Sequence, residues 1–251
     1  MSHVEKNRAY WNQISANYQN AHGSQLGKVE PTWGVWAIPE RDLHILGDVS
    51  GKDVLEFGCG GAQWSIALAK RGAIMTGLDL SEEQLRHAQK LVSEEGVNVK
   101  LVQGSAEETP LPSASFDIVF CDHGAMTFAD PRKTVPEAAR LLRPSGLFAF
   151  SMATPLLDIC TNRKNEHVGH NLVSEYFDMV PWTDETGQTT FQLPYGEWVR
   201  LFRSSGFVIE DLVELRPKAD AKTTYEGYAP LEWARQYPAE HIWKLRREGA
   251  R

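Results

Sequence analysis

The chain has 251 residues, 42% hydrophobic and 24% charged, with a formal net charge of −7. That length can bury a sizeable core in one domain with an elaboration, and the acidic balance disfavours a nucleic-acid partner. No apolar run approaches the ~20 residues of a membrane span, residues 1–8 lack a signal-peptide core, and Cys59, Cys121 and Cys160 form no CxxC pair, so a cytoplasmic, reducing setting is expected.

Residues 4–20 carry Ala9, Tyr10, Ile14, Asn17 and Tyr18 at roughly helical spacing, which predicts an amphipathic helix. Glycine and proline interrupt the pattern over residues 22–39, which hold Trp33 and Trp36, and a second short helix is expected over 39–46. Residues 1–48 thus form a cap whose aromatics either cover a ligand or pack on the body of the domain.

Strands and helices then alternate, as in a parallel sheet with helices on both faces. Residues 53–57 predict a strand that breaks into Gly58-Cys59-Gly60-Gly61, with a helix over 64–70. A second strand over 74–78 ends at Asp79, and Ser81 with Gln84 forms a capping-box pattern opening a helix to about Glu95. Strands are expected at 99–102 and 116–121, then a helix over 133–142 stopped by Pro144-Ser145-Gly146, then a fifth strand over 147–151.

Residues 154–193 show no clear period and predict an insertion over one end of the sheet, so the main domain comprises 49–153 and 194–251. A helix over 195–204, a strand over 208–215 and a short helix over 231–236 follow. Residues 241–246 predict a last edge strand or a helix, and the basic set Lys244, Arg246, Arg247 and Arg251 is expected to be solvated.

In an open parallel sheet, ligands bind beyond the carboxyl ends of strands where chain order reverses. Those ends carry Glu56 with Gly58, Gly60 and Gly61, then Asp79, then Ser105-Ala106-Glu107, then Asp122-His123. Glycines let the backbone approach a ligand, and an acidic residue on the neighbouring strand tip can accept hydrogen bonds from a ribose diol. Gln63 stands at the third required position of the dinucleotide fingerprint, which disfavours a nicotinamide-dependent dehydrogenase. Glu56 before the turn suits an α-amino group better than a pyrophosphate.

The motifs Val54-Leu55-Glu56-Phe57-Gly58-Cys59-Gly60-Gly61, Gly77-Leu78-Asp79-Leu80-Ser81, Gly104-Ser105-Ala106-Glu107, Phe116-Asp117 and Arg140-Leu141-Leu142-Arg143-Pro144-Ser145-Gly146 stand in that order. With them the sequence resembles the class I S-adenosylmethionine-dependent methyltransferases, in particular the small-molecule group that includes ubiquinone and menaquinone biosynthesis enzymes. The resemblance is good over residues 49–152 and looser elsewhere. It implies a Rossmann-like α/β fold with a seven-stranded sheet, parallel except for an antiparallel last strand.

It also implies roles. Glu56 and the glycine turn would hold the methionine part of the cofactor and Asp79 the ribose. Leu80 would pack on adenine, Ser105 and Ala106 would address its edge, and Asp122 would lie near the methionine moiety. Ala62 stands where many relatives have a third glycine, and Ser105 replaces an aspartate, so either its hydroxyl or Glu107 accepts the adenine amino group. Tyr18, Trp33 and Trp36 are candidates for facing the sulfonium.

His123 is the first candidate for a general base, with His167 and His170 as alternatives, and no Cys/His cluster points to a metal. The expected activity is methyl transfer to a small-molecule acceptor. The alternatives are a protein or RNA acceptor, or a cofactor-binding regulator without catalysis.

Overall fold

The computed structural model describes residues 1–27 and 30–249, so Arg251 lies outside the described residues. The chain opens with α1 (His3–Leu26), capped by Ser2 and Glu5 in a reciprocal capping box. A small hairpin follows, β1 (Thr32–Trp33) and β2 (Ile38–Pro39), and then α2 (Glu40–Leu43). The alternating part runs β3 (Asp53–Phe57), α3 (Gln63–Ala69), β4 (Ile74–Asp79), α4 (Glu82–Glu94), β5 (Val99–Gln103), β6 (Phe116–Asp122), α5 (Gly124–Phe128), α6 (Pro131–Leu141) and β7 (Leu142–Ala153).

Residues 154–193 fold into α7 (Pro155–Cys160) and two hairpins, β8 (Thr161–Asn162) with β9 (His167–Val168) and β10 (Trp182–Thr183) with β11 (Thr189–Thr190). The chain then closes the sheet with α8 (Tyr195–Ser204), β12 (Phe207–Leu215), α9 (Leu231–Gln236) and β13 (Glu240–Arg247).

The seven-stranded sheet has the order β12-β13-β7-β6-β3-β4-β5. Strands β3 to β7 are parallel, and β13 runs antiparallel to both of its neighbours. The last strand is therefore interior, and β12 forms the edge. Burial accounts for this: Glu240, His241, Ile242, Trp243 and Leu245 are all buried, as a strand covered on both faces requires. Arg246 pairs with Glu210 on β12 and Arg247 bonds the Leu142 carbonyl, so these cations brace the sheet rather than float free.

One apolar layer, with Phe148, Phe150, Trp198 and Phe202, lies under α6 and α8. The other, with Val54, Trp64, Ala88 and Phe120, lies under α3 and α4. Strand β7 begins earlier than the Pro144-Ser145-Gly146 stop suggests. Its pairing with β6 shifts register between Phe116 and Ile118, and Ser145 takes φ 64, so the turn residues are absorbed as a bulge. The chain order reverses between β3 and β6, which places the carboxyl ends of these neighbours at the switch point.

Candidate active site

The glycine turn is fastened to the neighbouring strand before any ligand is considered. The amides of Gly58 and Cys59 both donate to the Leu78 carbonyl, at 2.8 and 3.0 Å. Asp79 braces the turn further, its Oδ2 accepting from Gly60 N at 2.8 Å and its Oδ1 from Ser81 N at 2.8 Å. Each oxygen keeps a lone pair for a second donor. Gly58 takes φ 68, and a Cβ there would fall 2.4 Å from the Ala125 amide. Gly60 also has positive φ, but a Cβ there would meet nothing closer than 3.8 Å, so this glycine keeps cavity volume open. Ala62 holds φ 60 without glycine's freedom, a left-handed conformation costing on the order of 1–2 kcal/mol.

Three acids lie around the turn, Glu56 buried and Asp79 and Asp122 half-buried. Glu56 Oε2 accepts from Ser65 N at 3.0 Å and Ser65 Oγ at 2.5 Å. Burial pushes the Glu56 carboxyl up to about 8, against the Ser65 bonds and with the fields of Asp122 and Asp79. Burial likewise raises Asp79 and Asp122. Asp122 Oδ1 accepts from Gly34 N at 2.9 Å and from Ser151 Oγ.

His123 follows at the β6 tip with φ 58 and ψ −66, a strained backbone for a residue with a Cβ. Its Nε2 lies 2.6 Å from Oε1 of Glu240, which is fully buried at the start of β13. Burial pulls the imidazole pKa down, but the Glu240 bond and the fields of Glu240 and Asp122 outweigh it and hold the value above the usual one.

One cavity of about 530 Å³ joins these groups. It is lined by Tyr18, Glu56, Gly58, Gly60, Gly61, Asp79, Leu80, Ser105, Ala106, Glu107, Asp122 and His123, so the four strand tips do converge. It is also lined by the aromatic and apolar side chains Trp11, Phe128, Leu157, Trp182, Phe191 and Tyr228, from α1, α5, residues 154–193 and the loop before α9. The glycine turn, the paired acids and the open volume at Gly60 fit an adenosyl sulfonium with an amino-acid tail.

Several expected residues lie elsewhere. Trp33 is wholly buried against Trp64 and donates its Nε1–H to Glu40 at 2.6 Å. Trp36 packs with Leu157 and Trp233 in a separate apolar cluster, and neither tryptophan lines the cavity. The hairpin β1–β2 turns both rings into the protein, which explains the difference. His167 and His170 are exposed residues of the insertion and do not line the cavity. Glu107 does line it, but its carboxylate already accepts from His3 at 2.5 Å, Asp130 N at 2.8 Å and Lys133 at 3.0 Å.

Other lining residues escape a sequence reading. Tyr225 bonds the Tyr18 hydroxyl at 2.7 Å, Tyr228 sets its ring edge-on to His123, and Gln19 reaches Gln63 and Gln84. Nothing in the local pattern of residues 216–230 marks these tyrosines. An acid opening a buried strand was the one available signal for Glu240.

Fold and site together define an open α/β protein with a ligand-sized cavity at its switch point. The methyltransferase-domain family model matches residues 55–150. The chain is 31% identical to the ubiquinone biosynthesis O-methyltransferase of Vibrio campbellii, across 67% of this chain and 84% of that protein. It is 35% identical to the uncharacterized methyltransferase YcgJ of Bacillus subtilis, across 59% of this chain but only 64% of that protein's length. An S-adenosylmethionine-dependent methyltransferase from Mesorhizobium loti shares the fold with a TM-score of 0.67 at 21% identity, across 82% of this chain and 95% of that one. The chain belongs to the class I S-adenosylmethionine-dependent methyltransferases. S-adenosylmethionine is accordingly its cofactor.

Proposed function

We propose that the chain methylates a hydroxyl of a small, largely apolar molecule held between the strand tips, α1 and residues 154–193. The carrying observation is that one cavity is lined both by the acidic glycine turn and by a set of aromatic side chains. Its volume falls within the ~300–1,000 Å³ of small-molecule sites. Asp158, Glu166 and Asp184 face it beside Arg163, an acidic rim that repels a phosphate backbone and so argues against an RNA acceptor. Oxygen as the methylated atom is proposed by analogy with the Vibrio O-methyltransferase.

When bound, S-adenosylmethionine supplies a methyl group whose bonding pair stays on sulfur as the acceptor's lone pair forms the new bond. The chain's own residues do the rest. Glu56 meets the amino group, Asp79 the ribose hydroxyls, and Leu80, Ala106 and Ser105 the adenine. Either the Ser105 hydroxyl, which already accepts from Glu107 N at 3.2 Å, or Glu107 Oε2, which accepts only from Lys133 among the described residues, takes the adenine amino group. Tyr18 and Asp122 face the sulfonium side, and His123 takes the acceptor's proton. Holding the reactants aligned and dry provides most of the acceleration.

Calorimetry with S-adenosylmethionine and S-adenosylhomocysteine, followed by a metabolite screen for S-adenosylhomocysteine release, tests the reading. Release with hydroxylated aromatics supports it. No binding, or release only with protein or RNA, refutes it.

A further inference from the structure

We propose that Glu240 is a positioning residue for the transfer, holding His123 so that Nδ1 is the nitrogen that receives the acceptor's proton. The proposal rests on His123 acting as the base. Glu240 comes from the far end of the chain, 117 residues from His123, and belongs to none of the cofactor motifs.

Its environment suits this role better than a structural one. The side chain is fully buried, Oε1 is shared between His123 Nε2 at 2.6 Å and Val35 N at 2.8 Å, and Oε2 is buried without any partner among the described residues. A buried carboxyl with an orphan oxygen weakens a fold, and glutamine or an apolar residue would fill the space at less cost. The surroundings are shaped to it. Gly34 carries no Cβ where one would fall 2.5 Å from Glu240 Oε1, and His123 accepts its strained φ of 58 in reaching the same oxygen. Two local costs at one pair mark a functional constraint.

The chemistry follows from the bond. With Nε2–H donating to Glu240, the neutral imidazole has its lone pair on Nδ1. Nδ1 makes no hydrogen bond among the described residues, and the ring lines the cavity. The pair of electrons in the acceptor's O–H bond stays on oxygen and the proton moves to Nδ1. The imidazolium then sits between Glu240 and Asp122, where a positive charge is favoured. The other titratable groups around the ring are Tyr228, edge-on at 5.6 Å, with Tyr225 and His241 beyond.

Nitrogen-detected NMR of protein labelled with ¹⁵N-histidine and loaded with S-adenosylhomocysteine reads the tautomer and titration of His123 without any acceptor. Expected are an Nε2–H tautomer and, in Glu240→Gln, a protonation midpoint lowered by at least about one pH unit, a tenfold loss of proton affinity. Glu240→Asp should recover part of that shift. An Nδ1–H tautomer in the unaltered protein, or a midpoint unmoved in Glu240→Gln, overturns the proposal. If Glu240→Gln fails to fold, the tautomer alone decides. His123→Asn separates the two readings, using the acceptor found by S-adenosylhomocysteine release. Full turnover there removes the base itself, whereas lost turnover combined with an Nδ1–H tautomer removes only the role of Glu240.

Discussion

The two sides of the cavity are held by different physics. The cofactor side hangs on strand tips whose other ends are embedded in two apolar layers, with Leu55, Phe57, Phe120 and Cys121 fully buried. On the cap side, Trp33 and Trp36 are buried in apolar clusters, but α1 is fastened chiefly by polar side chains. The residues that α1 buries are Asn7, Ser15 and Gln25, and its links run through Asn7 to Phe128 and Thr189, Asn12 to Ser81, Gln19 to Gln84 and Gln25 to Val35. Hydrogen bonds exchange with water at a net cost near 1 kcal/mol each, whereas removing a sheet strand exposes whole apolar side chains. A half held by apolar burial thus faces a helix held by exchangeable hydrogen bonds.

Removing Asp79 is the sharpest way to break the half held by apolar burial. Asp79→Ala takes away the proposed ribose acceptor and the brace on Gly60 and Ser81 together. Charge-assisted bonds worth about 1.5–3 kcal/mol each predict cofactor affinity weakened by about 100-fold or more. Calorimetry checks this against a circular-dichroism spectrum that should be unchanged. Affinity retained within threefold would mean the strand tip does not carry the ribose.

Asn7→Ala probes the other half. The side chain donates to the Phe128 and Thr189 carbonyls at 2.7 and 2.9 Å and accepts from Thr189 N at 2.7 Å. Its loss leaves buried backbone groups unpaired, costing on the order of 2–4 kcal/mol. Hydrogen exchange in α1 should quicken by about 30-fold or more while amides of β3 and β6 stay protected. Equal acceleration in helix and sheet would show one cooperative unit and erase the contrast.

Between these lies a proton. A carboxyl whose folded pKa is raised to about 8 keeps its proton where the unfolded chain has lost it. Its contribution to stability therefore falls as pH rises from the ordinary value of 4.5 towards 8. Pairing with a cofactor ammonium requires the ionised form. Binding should release a proton near neutral pH, and affinity should rise by up to about tenfold between about pH 6 and 7. Calorimetry in two buffers of different ionisation heat measures the proton directly, and none released would show that Glu56 stays neutral beside the cofactor.

The same division governs what a sequence reading reaches. Strand tips are local: Glu56, Gly58 and Gly60 are adjacent in the chain, so their convergence with Asp79 follows from alternation alone. The cap side depends on contacts across the whole length, such as Asn7 with Thr189, 182 residues apart, and Glu240 with His123. No periodicity encodes them. The short α5, Gly124–Phe128, goes unnoticed for a related reason: it is capped by strained His123 with no side-chain cap bond. In the hairpin β1–β2, two tryptophans near a predicted crevice suggest ligand contact, but which way a two-residue strand turns its rings is decided by packing.

Trp36 gives the smallest expected effect and the finest test of where the cap ends. Its ring is buried among Val35, Leu157, Ile159 and Trp233, and its Nε1–H is buried without a partner among the described residues. In Trp36→Phe the lost contacts are offset in part by removal of that orphan donor, so stability should change by only about 1 kcal/mol. Cofactor affinity should shift by less than about threefold, because the ring is no part of the cavity wall. A tenfold loss on calorimetry would mean that Leu157, which touches both cluster and cavity, transmits packing from the cap into the cofactor site. The two halves would then be coupled through the insertion rather than independently held.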